Sequence, residues 1–230
     1  MGWRGFRDVQ ATIQIDLTKP IEELWQGLDK DARWGVRKAK KEGLMINEAK
    51  QDEWYEFYNL YKDTCKRGGI LPLPFEKIKE SKLFVCKKDN KIIAGAAVKE
   101  KNEVIELFLN ASLPEFLKLQ PNNLLYWSII EYGKQHGFKI FDLGGYQLKA
   151  RGHMQGINRF KERWGGQLVM KEVKGSAAYI LGRKLIRNLP AARWVWDRLK
   201  GRPVPVKDKK LKQRKIKERV EEEVRKIIIS

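Results

Sequence analysis

The most informative run in the chain is FDLGGYQLKARGHMQGINRFKERWGG, residues 141–166. It begins inside FKIFDLGG, an apolar run that reads as a buried strand leaving through Gly144 and Gly145. A glycine pair after a strand lets the backbone turn sharply or come close to a ligand, although a plain turn uses the same residues. An unusually polar run follows with Lys149, Arg151 and His153, then Gly156. The spacing after it predicts a short helix over 156–164 that carries Arg159, Phe160, Lys161, Arg163 and Trp164. Phe160 and Trp164 are four apart and are expected to face the core together. Lys161 stands one residue off that stripe, where its stem can lie along apolar surface while its amine reaches into a cleft.

Working outward, strands and helices interleave. ATIQID, residues 11–16, alternates as a strand does. Thr18 and Pro20 signal a helix start, with Glu22 and Glu23 near its positive end, and the helix is expected to run to about Lys41 before Gly43 stops it. Its second half sets Arg33, Arg37 and Lys41 at i, i+4 and i+8, on one face. A short strand at 44–48 and a helix from Asp52 to Lys66 come next, the helix striped by Trp54, Phe57, Tyr58 and Tyr61. LFVCKK, KIIAGAAVK and EVIELFL, with turn residues Asp89-Asn90 and Lys101-Asn102 between them, read as an antiparallel meander over 82–106. Residues 122–136 read as a largely apolar helix, 167–173 as a last strand, and 177–200 as a helix of mixed apolar and basic character. The fold class is therefore α/β, a mixed and largely antiparallel sheet flanked by helices. Pro203 and Pro205 mark a boundary, so that residues 1–202 are expected to form one domain and 203–230 a basic helical tail.

With 230 residues and 42% hydrophobic content the chain can bury one sizeable core. No stretch reaches the length of apolar sequence that spans a bilayer, and MGWRGFRDVQ lacks the apolar segment of a signal peptide; a cytoplasmic protein with two reduced thiols, Cys65 and Cys86, is expected. Charge is the loudest feature: 48 Lys and Arg against 29 Asp and Glu, a net of +19. Eight basic residues between Lys207 and Arg219 against Asp208 and Glu218 account for +6, and the rest of the chain still carries +13. Such a field attracts polyanions, whether nucleic acid, anionic lipid or phosphorylated small molecules. Arg33, Arg37 and Lys41 are candidates for tracking nucleic-acid phosphates, against the plainer reading of a solvated helix face.

Three stretches together resemble the FemABX peptidyltransferases, whose halves have GNAT-like folds. They are FDLGG with the GINRFKERWGG that follows its loop, IDLTKPIEELWQGLDKDARWGVRKAKKEGLMI at 15–46, and YNLYKDTCKRGGI at 58–70, and they cover about residues 11–170 in the family's order. The resemblance implies a GNAT-like domain similar to the family's second half, with self-association able to stand in for the first. It implies transfer of an amino acid from aminoacyl-tRNA to an amine on a nucleotide- or lipid-linked acceptor such as a peptidoglycan precursor. It also implies roles for single residues. Lys161 matches the lysine set near the reacting carbonyl, Arg67 the arginine that holds acceptor phosphates, and Tyr146, with Gly144 and Gly145, the substrate channel.

The residues are compatible with that chemistry. Attack of an amine on an activated ester needs alignment, loss of one proton and stabilisation of an oxyanion, which a lysine ammonium can supply without a covalent nucleophile. There is no G-x-S-x-G, neither cysteine has a recognisable histidine partner, and no His/Cys set has metal-ligand spacing, so no cofactor or metal is called for. His136 reads as a helix-end histidine, and His153 as the better of the two for a role. Acetyl-CoA users cradle pyrophosphate on a glycine-rich helix start, whereas LQPNNLLYW at the corresponding place lacks glycine. That favours an aminoacyl-tRNA donor over acyl-CoA, with an acyl-CoA-dependent N-acyltransferase and a non-catalytic RNA-binding protein as the alternatives.

Overall fold

Two adjacent strands with unbroken apolar runs at their centres belong in the middle of a sheet covered on both faces. In the computed structural model, which describes residues 6–148, 150, 152–175 and 181, these are β3 (Lys82–Lys88) and β4 (Lys91–Lys101). Successive residues of β3 feed opposite sides: Phe84 and Cys86 join one apolar cluster, Leu83 and Val85 the other. The first cluster is closed by α1 (Ile21–Gly27), α2 (Lys30–Lys41) and α5 (Pro121–Gln135); the second by α3 (Glu53–Gly68) and α4 (Phe75–Lys79). A helix buried almost all round must be central. That helix is α5, which hides Leu124, Leu125, Tyr126, Trp127, Ile129 and Ile130, each contributing about 1.5–3 kcal/mol of burial.

Among the described residues the sheet has seven strands. With β1 (Phe6–Asp16), β2 (Met45–Glu48), β5 (Val104–Ser112), β6 (Ile140–Tyr146) and β7 (Gln167–Gly175), the order is β2-β3-β4-β5-β6-β1-β7. The pairs β2/β3, β3/β4, β4/β5 and β1/β6 are antiparallel. The expected meander is present, with Asp89 and Asn90 both at positive φ in its first turn. The exception is β5 and β6, joined by a short 3-10 helix (Pro114–Leu119) and α5, which pair in parallel through only three residues, Val104↔Ile140 to Glu106↔Asp142. Among the described residues, β5 continues beyond Glu106 to Ser112 beside β4 alone. The two parallel strands part there.

Residues Ala11–Met170 form one compact unit. A second comprises 1–10 and 171–230, of which strand at 6–10 and 171–175 and the helical Leu181 are described. The helix expected over 177–200 and the basic tail over 203–230 otherwise lie outside the described residues. Among those described, no helix is long and apolar enough to cross a membrane.

Three expectations need correction. The helix expected from Pro20 to Lys41 is two helices, broken at Leu28 and Asp29, whose ψ angles of 144° and 152° are extended. Asp29 causes the restart, its carboxylate accepting from the Asp31 N–H at 2.7 Å as an N-cap. Thr18 does not cap α1; its hydroxyl and N–H both donate to Asp16 in a local turn. The short helix expected at 156–164 is α6 (His153–Glu162), entered through Gly152 at φ +55° and running a turn further back through Gly156. The 3-10 helix and α4, both short and preceded or opened by proline, carry too few residues to show a period.

The turn from α6 into β7 is held by close backbone approach. Gly165 sits at φ +67°, and a Cβ on it would lie 2.5 Å from the Gly27 carbonyl oxygen at the end of α1. The same corner carries a hydrogen bond from the Asp29 N–H to the Arg163 carbonyl at 2.8 Å, and an ion pair from Arg163 to Asp31 at 3.2 Å. The helix that bears Lys161 is thus fastened at its far end to the break between α1 and α2.

Candidate active site

Between Thr12 and Gln14 of β1 the pairing with β6 shifts, Thr12 facing Gly145 and Gln14 facing Asp142. One extra residue on β6 makes a bulge, and bulges re-aim the groups beside them. Gly144 takes the strain at φ +72°, and a Cβ there would stand 2.9 Å from the Leu107 carbonyl oxygen of β5. Both demands, left-handed backbone and close approach, call for glycine. The bulge lies just where β5 and β6 part.

Lys161 points into this place. Its side chain is only 7% exposed, and Nζ donates to the Gly145 carbonyl oxygen at 2.8 Å. Phe160 of α6 and Trp164, just past its end, pack edge-on or tilted against Tyr126 of α5, with ring centroids 5.0 Å and 5.3 Å away. Burial pushes the Lys161 amine down from its ordinary value to about 8, while the negative charge of Asp142 acts in the opposite direction. Next to it, the Tyr146 hydroxyl donates to Glu162 at 2.5 Å, which raises the tyrosine. Asn158, 5% exposed, grips the chain after β6 by donating to the Gln147 carbonyl at 2.7 Å. Gly144, Gly145, Tyr146 and Lys161 are therefore brought together, the first three at the end of β6 and the fourth from α6.

Arg67 is placed elsewhere. It lies at the end of α3, exposed, and donates to the Thr64 hydroxyl at 2.9 Å and to the Ser112 carbonyl at 2.8 Å. Ser112 ends β5, five residues past Leu107, so Arg67 and the bulge stand at opposite ends of the free stretch of β5, about 17 Å apart along the strand. Asn110, Asn122 and Ser112 line the same end through a chain of side-chain contacts at 3.3–3.4 Å.

Of the α2 cations, Arg33 is committed to structure, its guanidinium donating to the Gln26 carbonyl at 2.8 Å and to that of Leu28, across the helix break. Arg37 is exposed and lies over the Trp25 ring, 5.5 Å from its centroid. Lys41 is exposed at the last turn. Trp25, Gln26, Arg33 and Arg37 line an open depression of about 310 Å³. Among the described residues no group of His, Cys, Asp and Glu could hold a metal ion. His136 stacks on Tyr132, ring centroids 3.9 Å apart, at the end of α5.

The sequence reading passed over Asp142, Thr12 and Gln14. Asp142 is fully buried, and its carboxylate accepts from Gln14 Nε2 at 2.9 Å, from the Gly144 N–H at 2.8 Å and from the Thr12 hydroxyl, which also lies 2.8 Å from the Gly144 carbonyl. The signal was present: a lone acid inside an apolar strand is unusual unless it is partnered.

The family model described as an acetyltransferase (GNAT) domain matches residues 30–162. No curated protein sequence matches the chain. Solved structures similar in fold include FemX, with a TM-score of 0.62 and 17% identity over 77% of this chain and 64% of that one. A C-terminal domain (DUF2156) assigned to a lysylphosphatidylglycerol synthetase from Agrobacterium fabrum has a TM-score of 0.59 and 16% identity over 78% and 65%. L-PGS from Bacillus licheniformis has 0.57 and 15% over 81% and 66%. The chain thus spans just under two thirds of each of these structures. At such identities the likeness is one of fold.

Proposed function

Since the chain belongs to the family of the acetyltransferase (GNAT) domain, we propose that it transfers an activated acyl group to an amine, with the reacting carbonyl at the parting of β5 and β6. The observation that carries this is the buried amine of Lys161, held on the Gly145 carbonyl beside the bulge. In the reaction the amine nitrogen bonds to the carbonyl carbon, the bond to the leaving oxygen or sulfur breaks, and the proton shed by the amine ends on the leaving group. Lys161, with its pKa near 8, is mostly an ammonium at neutral pH. It faces the oxyanion as a charge in a dry setting and can hand a proton to the departing atom.

For the donor, the family's description favours an acyl thioester such as acyl-CoA. A second reading, an aminoacyl ester of tRNA, is favoured by the start of α5. Pro121 opens that helix and has no N–H, and the Asn123 and Leu124 N–H groups already donate to the Gln120 carbonyl. Little is left there to cradle a pyrophosphate. In that reading the acceptor is an amine on a nucleotide- or lipid-linked precursor and exposed Arg67 meets its phosphates. Arg37 and Lys41, next to the Trp25 depression, would then follow the tRNA backbone, with Arg33 bracing them.

The test is to incubate the full chain with a set of acyl-CoAs, with mixed aminoacyl-tRNAs and with a panel of amines, and to find the amide by mass spectrometry. An amide from thioesters alone selects the first donor, one from charged tRNA alone the second. No amide from either, together with equal affinity for charged and uncharged tRNA, would leave an RNA-binding protein on an enzyme fold. Under the tRNA reading, Arg37→Ala combined with Lys41→Ala is expected to lower the slope of log K against log salt by about 1–2 and to weaken binding several-fold, in filter-binding titrations.

A further inference from the structure

We propose that Asp142 is the positioning residue of this site: its buried carboxylate pins the bulge whose carbonyl holds Lys161, and it sets a negative charge within reach of that ammonium. The inference rests on the reading of Lys161 as the group that handles the proton. A carboxylate with no exposure costs several kcal/mol unless it is fully bonded, and here three donors from two strands converge on it. The bond from the Gly144 N–H at 2.8 Å fixes the one residue at positive φ in β6. The Thr12 hydroxyl, bridging Asp142 and the Gly144 carbonyl, ties the same peptide to β1. One residue on, the Gly145 carbonyl receives Lys161 at 2.8 Å. Asp142 thus reaches the amine twice, through the shape of the bulge and through its charge.

Glu106 of β5, the register partner of Asp142, is exposed. At the end of α6, Glu162 is bonded to Tyr146 of β6, and Arg163, just past the helix, is paired with Asp31 of α2; Arg159 is exposed. Thr12 and Gln14 of β1, and Tyr126 of α5, are neutral. The opposing influences on Lys161 are burial and Asp142.

Asp142→Asn separates charge from shape. The amide oxygen still accepts from the Gly144 N–H, and the amide nitrogen can donate to Gln14 once that side chain turns over. In a 13C NMR titration of lysine side chains, with the Lys161 resonance identified by its loss in Lys161→Arg, the Lys161 midpoint is expected to fall by about one unit. The high-pH limb of transfer should move down with it. A midpoint that stays or rises overturns the proposal and leaves Asp142 as a structural acid. Should the variant not fold, Gln14→Leu keeps the carboxylate and removes a donor that partly neutralises it; the Lys161 midpoint must then rise, and an unmoved one overturns the proposal equally. The titration needs no turnover. Undiminished transfer in Lys161→Ala would therefore sink the catalytic reading while the coupling between the two residues stood.

Discussion

Lys161→Met is expected to lower acyl transfer by about 10²–10³-fold and, in the same protein, to raise stability at pH 7. The lysine titrates near 8 when folded and at 10.5 as a free side chain. Between those values the unfolded chain holds a proton that the folded chain has released, so stability rises with pH across that window, and below about pH 8 the cost of burying the charge is felt in full. At about 1.4 kcal/mol per pH unit, that cost comes to about 3 kcal/mol. Loss of the bond to Gly145 takes back about 1 kcal/mol. Denaturant titration should therefore show a gain of about 2 kcal/mol for the variant at pH 7 and none at pH 10.5. An equal gain at both would mean that the lysine is not held short of its charge. A side chain that destabilises its own fold at working pH is what a reactive site produces when function and stability compete.

Gly165→Ala is expected to destabilise the chain by about 3 kcal/mol or more, from left-handed backbone without glycine and from a Cβ 2.5 Å from the Gly27 carbonyl oxygen. The oxygen is a backbone atom and a Cβ is fixed by the backbone that carries it, so neither can rotate away. The strain would open the corner where α6 is fastened to the break between α1 and α2, and Lys161 sits one helical turn from it. A fall in thermal midpoint of about 6 °C or more in calorimetry, accompanied by loss of transfer below the melting range, is the expected result. A midpoint within a degree of the parent would show that this corner is loose.

Much of this architecture could be read from the chain because it follows periods. The unbroken apolar runs of β3 and β4, the turn residues Asp89 and Asn90, and the apolar helix after residue 121 each obey a local rule. What escaped was set by single side chains acting at a distance. Asp29 divides a run that is helical by pattern on both sides, and one carboxylate bonded to one N–H decides it. Thr18 had an equally good local partner in Asp16, and a short contact nearby won over a cap. At the site, Lys161 could be picked out one residue off the Phe160–Trp164 stripe, and the glycine pair marked the bulge. Arg33, Arg37 and Lys41 share a helix face by spacing, yet only the fold reveals that Arg33 is spent on carbonyls while Arg37 stays free over Trp25. Asp142 needed the register of two strands 130 residues apart in sequence before its partners could be known.

The free stretch of β5 has one more implication. Bare peptide groups along a strand normally invite another chain to add itself and start aggregation, and proteins protect outer strands with charge, proline or brevity. This one stands inside the strand order, with β4 on one side and β6 parting from it on the other. Its interior place in the sheet keeps it away from the outer edges where chains add themselves.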